Sequence, residues 1–356
     1  MNFEWTDDVL EMRRGVISGL KRITQTADAD TFLPGTREVH ALLGEVGYWS
    51  RACSTKVDPE LLAIDLALAR ASTSLYLSIA STKTFAMLAS RLGENDLLGA
   101  IKRGEIVGAV GFSEVEDSPC EALRAADGGL TVSGTKSRVS NSPVADWLAV
   151  FADRGKIIGF VEMGNGSVRV GEPVSTIGLD GLAVAAVYFE DTPCPSNLVV
   201  AEGAAQAAME YRNVRDLSLA VAAVGLMERA IASTKHFAEQ KKQDGKPLIA
   251  HQLVRFALAE MLTMQQAGEL IVCRAVWALS VGDAEAQTLV RCAKVFCTES
   301  AEQVGIKAVE IAGAHGYTRG NEIERAYRDA VGTAVLGTAN GVARIKIGDD
   351  LLARYA

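Results

Sequence analysis

Five segments of this chain gather side chains that can hold or move charge. Phe112-Ser113-Glu114 closes an apolar run, and Ser118 follows it. A hydroxyl beside backbone N–H groups makes a phosphate or ring contact, and it equally fits a strand end with surface serines. Gly134-Thr-Lys136-Ser137-Arg138-Val139-Ser140-Asn141 adds the hydroxyl of Ser140 and the guanidinium of Arg138. Arginine stacks on a π system or carries a fixed charge to an anion; a plain surface arginine on a strand is the alternative. Tyr211-Arg212-Asn213-Val214-Arg215-Asp216 sets opposite charges on neighbouring positions, which a helix rotates by about 100°. Lys241-Lys242-Gln243-Asp244-Gly245-Lys246 is a basic run on an expected exposed turn, with Gln252 just beyond it. The last segment runs from Glu310 through Gly313, His315 and Gly316 to Leu336-Gly337-Thr338. The four histidines, His40, His236, His251 and His315, are too dispersed for a metal site. No P-loop, nucleophile elbow or GxGxxG after a strand is present, so a Rossmann class has no support.

The elements that must position these residues fall into three zones. Residues 1–105 read as helices: Leu62, Ile64, Leu68, Leu75, Leu77, Phe85 and Leu88 recur at spacings that suit a broad buried face, with Gly93 and Glu94-Asn95-Asp96 as punctuation. Residues 106–203 change period. Short apolar runs at 106–113, 130–133, 147–151, 157–161, 168–170 and 183–189 alternate with turn signals such as Gly128-Gly129 and Gly164-Asn165-Gly166, which predicts a compact β domain. Residues 204–356 return to helices. Proline-free stretches at 207–240 and 252–279, then a third at 284–312, predict a bundle, and Ala220, Ala222, Ala223 and Gly225 permit close helix approach.

Composition bounds the possible partners. The chain has 356 residues, 49% of them hydrophobic, which is enough for a large core in more than one domain. A net charge of -8 argues against nucleic acid as the main partner, though not against a nucleotide cofactor. Six scattered cysteines without a CxxC read as free thiols in a reducing compartment. The polar, acidic start at Met1 has no signal-peptide pattern, and no uninterrupted apolar run of about 18 residues predicts a membrane span. A cytoplasmic protein is expected.

In order and spacing these segments resemble the acyl-CoA dehydrogenase family over nearly the whole chain. The C-terminal signature is the most telling part: Glu310-Ile-Ala-Gly313-Ala-His315-Gly316-Tyr317, then Glu324-Arg325-Ala-Tyr-Arg328-Asp329, then Leu336-Gly337-Thr338. The resemblance implies an α+β multidomain fold, with an N-terminal helical domain at 1–105, a middle β domain at 106–203 and a C-terminal four-helix-bundle domain at 204–356. It implies FAD as cofactor and α,β-dehydrogenation of an acyl thioester, carried by CoA or by a carrier protein. It places Ser113 and Ser140 at the flavin, Ser118 at the pyrophosphate, and Thr338 near the flavin end. Arg138 stands where an aromatic residue covers the isoalloxazine, and with Arg215 it is a candidate substrate contact. Lys241 stands where an arginine grips the FAD diphosphate of a neighbouring subunit, Asp244 replaces a phenylalanine there, and Gln252 matches. Glu310 replaces a glutamine, and Gly313 and Gly316 match positions where the backbone approaches the ADP part.

The same resemblance exposes a departure. Family members remove the α-proton with a glutamate immediately before the Gly-Thr pair, or with one on the first bundle helix. Leu336 occupies the first place and Arg215 the second, so neither is acidic. Three readings follow. The chain is a subunit of a heteromeric enzyme, such as the mixed tetramers acting on steroid side-chain thioesters, in which a homologous partner keeps the base. Or the base is relocated, with Asp216 as the candidate. Or the chain is a non-catalytic scaffold or binding protein on the same fold.

Overall fold

A computed structural model describes residues 5–24, 35–93, 95–124 and 129–354. The start of the chain at Met1, the acidic Glu94 and the turn residue Gly128 lie outside these. Helices come first: α1 (Asp7–Thr24), α2 (Thr36–Glu45), α3 (Tyr48–Ala52), α4 (Leu62–Ala71), α5 (Thr73–Ala89) and α6 (Asp96–Lys102). Ser72 starts α5 by accepting from Leu75 N, and Asn95 starts α6 by accepting from Leu98 N, so each side chain satisfies an N–H that the first turn leaves unpaired. Fifteen of the 17 residues of α5 are buried; it is a core helix, apolar on nearly every side.

Eight strands follow: β1 (Gly108–Gly111), β2 (Glu121–Arg124), β3 (Leu130–Ser140), β4 (Trp147–Ala152), β5 (Ile157–Glu162), β6 (Val168–Val170), β7 (Val184–Cys194) and β8 (Val199–Val200). They form two four-stranded sheets, ordered β1-β4-β5-β8 and β2-β3-β7-β6. The first sheet is buried on both faces, which explains its continuous apolar runs: Leu148 and Val150 meet Val132 and Val187 of the second sheet, while Ala149, Phe151 and Phe160 meet α5. The second sheet keeps an outer face in solvent, and its strands alternate. The apolar run at 130–133 and the following segment form one strand, β3, which reaches Ser140 through a bulge that places Ser137 and Arg138 opposite Ala186.

The bundle is α7 (Ala204–Gln240), then a hairpin of β9 (Lys242–Gln243) and β10 (Lys246–Pro247), α8 (Gln252–Val281), α9 (Ala286–Ala312), the short α10 (Ala314–Tyr317), α11 (Glu322–Val335) and α12 (Asn340–Arg354). Helices α7, α8, α9 and α11 pack together, with α4 and α5 against the other flank of α7. Gly225 is where α4 comes closest: a Cβ there would lie 2.6 Å from Ala69 Cβ. By length and composition α7 is apolar enough to cross a membrane, but 72% of its most apolar window is buried in the protein core.

Candidate active site

A cavity of about 260 Å³ lies where the three zones meet. Its β-side wall carries Val110, Phe112, Ser113, Arg138 and Ser140. Pairing along β3 explains why Arg138 and Ser140 face the cavity. Lys136 and Val139 both point into the sheet core, and the bulge supplies the extra residue that lets them do so. Arg138 takes up that residue in the left-handed region, φ 46°, a conformation that costs an L-residue about 1–2 kcal/mol. Ser113, Ser140 and Arg138 have no side-chain hydrogen bond or ion pair among the described residues, so three polar groups on this wall are uncommitted. Below them Phe112 stacks on Tyr211 at 5.0 Å and meets Phe151 edge-on at 5.1 Å, which fixes the strand end against α7.

The opposite wall is helical. Leu77, Ala80, Ser81 and Thr84 come from α5; Arg215, Ser218 and Leu219 come from α7; Leu336 and Gly337 come from the turn after α11. No Asp or Glu is among the described residues lining the cavity.

Arg215 and Asp216 do not play the part of a free base. Asp216 is 5% exposed and does not line the cavity. Its Oδ1 accepts from Arg215 Nη2 at 2.9 Å, from Arg215 Nε at 3.1 Å and from Thr338 N at 3.1 Å. Arg215 Nη2 also donates to Thr338 Oγ1 at 3.1 Å. The expectation of Asp216 as a relocated base is therefore corrected: its carboxylate is aimed at the 336–338 turn, and the helical rotation that separates it from Arg215 turns it away from the cavity. Gly337 has φ 70°, and a Cβ there would sit 2.6 Å from Asp216 Oδ1 and 2.6 Å from Leu219 Cδ1. The tightness of this turn is what lets Leu336 reach the cavity.

A second clamp holds the same turn from behind. Lys294 of α9, 1% exposed, donates to Ala334 O at 2.8 Å and to Asn340 Oδ1 at 2.6 Å. Asn340 passes the connection on to Thr298 and Glu299. Burial pushes the Lys294 ammonium down to about 8, against the opposing pull of Asp216. Sequence reasoning passed over Lys294, because nothing in its neighbourhood on α9 marks it; the signal is spatial.

The remaining expected site residues lie elsewhere. Ser118 does not line the cavity; its hydroxyl shares a 3.2 Å hydrogen bond with Thr135 on the rim of the second sheet. Lys241, Gln252, Glu310 and Gly313 are exposed, Gly316 is buried, and all lie at the far end of the bundle. The structure brings the two halves of this group together through Phe237 and His315, whose rings stack in parallel at 4.9 Å and 6°. From Arg215 to Gln240 α7 runs 25 residues, about 38 Å at the helical rise. The cavity and this shelf are therefore well separated along α7. Lys136 and Glu114 are structural: their 2.5 Å ion pair is completed by Cys120 N donating to Glu114 at 2.9 Å. Arg328 and Asp329 pin the 177–180 loop to α11, with Arg328 donating to Ile177 O and Asp180, and Asp329 accepting from Leu179 N.

Comparison with known proteins agrees with this geometry. Residues 202–352 match the family model described as acyl-CoA dehydrogenase, C-terminal domain. An acyl-CoA dehydrogenase of Bacillus subtilis is 30% identical over 70% of this chain and 69% of its own length. An L-prolyl peptidyl-carrier-protein dehydrogenase of Pseudomonas fluorescens is 30% identical over 69% of each. The solved butyryl-CoA dehydrogenase of Megasphaera elsdenii superposes with a TM-score of 0.86 at 21% identity, over 99% of this chain and all of its own. On these grounds the chain belongs to the acyl-CoA dehydrogenase family.

Proposed function

We propose that this chain is a subunit of an FAD-dependent dehydrogenase that introduces a double bond beside an acyl thioester carbonyl, with the base supplied by a homologous partner chain. The observation that carries this reading is the cavity itself, whose β-side wall bears uncommitted hydroxyls while the opposite wall holds Leu336 where an acid is needed. The β-side wall fits the polar ring of FAD, with Ser113 and Ser140 as its hydroxyl contacts and Thr338 steadying the turn beside it. FAD supplies the hydride acceptor. Leu77, Ala80 and Leu219 line the space for an acyl chain. Leucine accepts no proton, and a positioned base is worth roughly 10²–10⁴ in rate, so the lone chain turns over poorly.

The far shelf supports the heteromeric part. Lys241, Gln252, Glu310, Gly313 and Gly316 are well separated from the chain's own cavity, and we assign them to the diphosphate and ADP portion of FAD bound in a neighbouring subunit. Lys241 offers a charge without the two-pronged geometry of arginine. Exposed apolar residues on the bundle, among them Leu253 and Phe256 of α8 beside the shelf, support association through that face. Six free cysteines support a reducing, cytoplasmic setting. The thioester carrier is CoA or a carrier protein, as the names of the relatives allow.

The test is purification of the chain alone and together with a homologous chain that keeps the glutamate, followed by flavin absorbance and acyl-CoA turnover. The expected result is a yellow, active assembly and a weakly flavinated, slow lone chain. Full turnover by the lone chain removes the partner from the account; a colourless assembly that takes up no FAD removes the dehydrogenase and favours a scaffold.

A further inference from the structure

We propose that Arg138 is the cavity's anion-compensating residue, holding the negative charge that a bound flavin acquires on reduction and so raising its reduction potential. This rests on the flavin reading above. Four observations on the chain carry it. Arg138 lines the cavity as a charged side chain with no hydrogen bond or ion pair among the described residues, whereas the other lining cation, Arg215, is committed to Asp216 and Thr338. No carboxylate among the described residues lines the cavity to neutralise it, and the nearby Glu114 is already bound to Lys136 and to Cys120 N. The left-handed backbone and the bulge set the guanidinium on the same side as Ser140, two residues along the strand. Both belong to the wall that also carries the uncommitted Ser113 hydroxyl, and not to the helical wall of Leu77, Ala80 and Leu219.

That placement decides between two anions. A carboxylate on the acyl group would enter along the helical wall, where three of the four polar side chains, Thr84, Arg215 and Ser218, are already engaged within the protein. A flavin ring would lie against the hydroxyl wall, next to Arg138. The physical consequence follows from charge alone. Oxidised flavin is neutral and its two-electron reduced form is anionic, so a fixed cation beside the ring stabilises the reduced form selectively. In a partly buried site one unit charge at contact distance is worth well over tenfold in such an equilibrium. An aromatic residue at the same place would give no such bias. The same cation strengthens addition of sulfite to the ring, because that product is also anionic.

The experiment is reductive titration of the flavin-loaded protein, in the assembly in which it purifies, comparing wild type with Arg138→Gln and Arg138→Lys. Sulfite affinity is read in parallel from bleaching of the flavin band. The expected result is a more negative midpoint potential and at least about tenfold weaker sulfite binding in Arg138→Gln for the flavin held by this chain, with Arg138→Lys in between. Loss of flavin from Arg138→Gln with retention in Arg138→Lys also supports a cationic role. Flavin-loaded Arg138→Gln with wild-type potential and sulfite affinity overturns the assignment and leaves the dehydrogenase reading standing. Wild-type protein whose only flavin sits in a partner's cavity overturns the assignment as well, and wild-type assembly with no flavin at all overturns both.

Discussion

At the scale of single residues, the account turns on where charge is absent and where it is locked. Leu336 faces the cavity and Asp216 faces the turn beneath it, accepting from Thr338 N two residues further along. Asp216→Asn keeps an oxygen for Thr338 N but removes the charge that balances Arg215. We expect it to lower stability by about 1–3 kcal/mol in denaturant titration and to leave the flavin reduction rate of the assembly unchanged within a few fold. Abolished reduction in a variant that melts normally would make Asp216 the base after all. Gly337→Ala meets both a steric and a conformational barrier, a Cβ 2.6 Å from Asp216 and a backbone at φ 70°. Its expected outcome is a drop in melting temperature together with loss of flavin, since the turn cannot keep Leu336 in place. The Arg215-Asp216 pair shows what the sequence could and could not say. Its charges and spacing are visible in one dimension; which of the two meets ligand depends on the phase of α7, set by small residues such as Gly225 some ten positions away.

At the scale of elements, the chain's periodicities announced most of what positions the site. The three long bundle helices follow the proline-free stretches, and the strands from Trp147 and Ile157 begin where their apolar runs begin. Two features were hidden. Strand β2 has one apolar residue of any size, Leu123, and that side chain is exposed, so no burial pattern marks it. The β9–β10 hairpin is built on Asp244 at φ 51° and Gly245 at φ 76°, both in the left-handed region that a two-residue turn demands; the sequence showed the exposed turn with its basic run but not the strand pair that flanks it. The helix that supplies half of the cavity's opposite wall, α5, was legible as a core helix but not as a site element, because Leu77, Ala80 and Thr84 carry no chemical signal. Element packing also gives two measurable consequences. Lys294 ties α9 to both ends of the turn after α11, so Lys294→Met strands Asn340 Oδ1 and Ala334 O and is expected to cost about 1–3 kcal/mol in an unfolding titration. His40 ties α2 to α5: its Nδ1–H donates to Thr36 O and its Nε2 accepts from Thr82 Oγ1. Burial lowers its pKa from 6.5 to about 4. The unfolded chain therefore takes up the proton first, and the contribution present above pH 6.5 is lost as pH falls toward 4, on the order of 3 kcal/mol. Urea midpoints measured across that window check it, and His40→Asn should flatten the slope.

At the scale of the whole molecule, the proposed function divides a flavin site between the cavity beside Arg215 and the shelf past the C-terminal end of α7. On that proposal the shelf serves a neighbour, and the exposed apolar residues of α8 lie next to it. Phe256→Asp is expected to reduce the mass of the assembly in sedimentation and to release flavin, while the separated chain keeps its helical content; unchanged mass would place the interface elsewhere. Family architecture was legible from the order of zones and the closing signature, and the resemblance already set Lys241 toward a neighbouring subunit; the separation of cavity and shelf was not legible, because distance along a helix becomes distance between sites only in three dimensions. The central claim is that this cavity is arranged for flavin chemistry and lacks its own base. Anaerobic mixing of an acyl-CoA with the FAD-loaded lone chain, wild type against Leu336→Glu, tests it most directly through bleaching of the flavin band. The account predicts that wild type bleaches at least about 10²-fold more slowly than Leu336→Glu; wild-type bleaching as fast as that of the glutamate variant would contradict it.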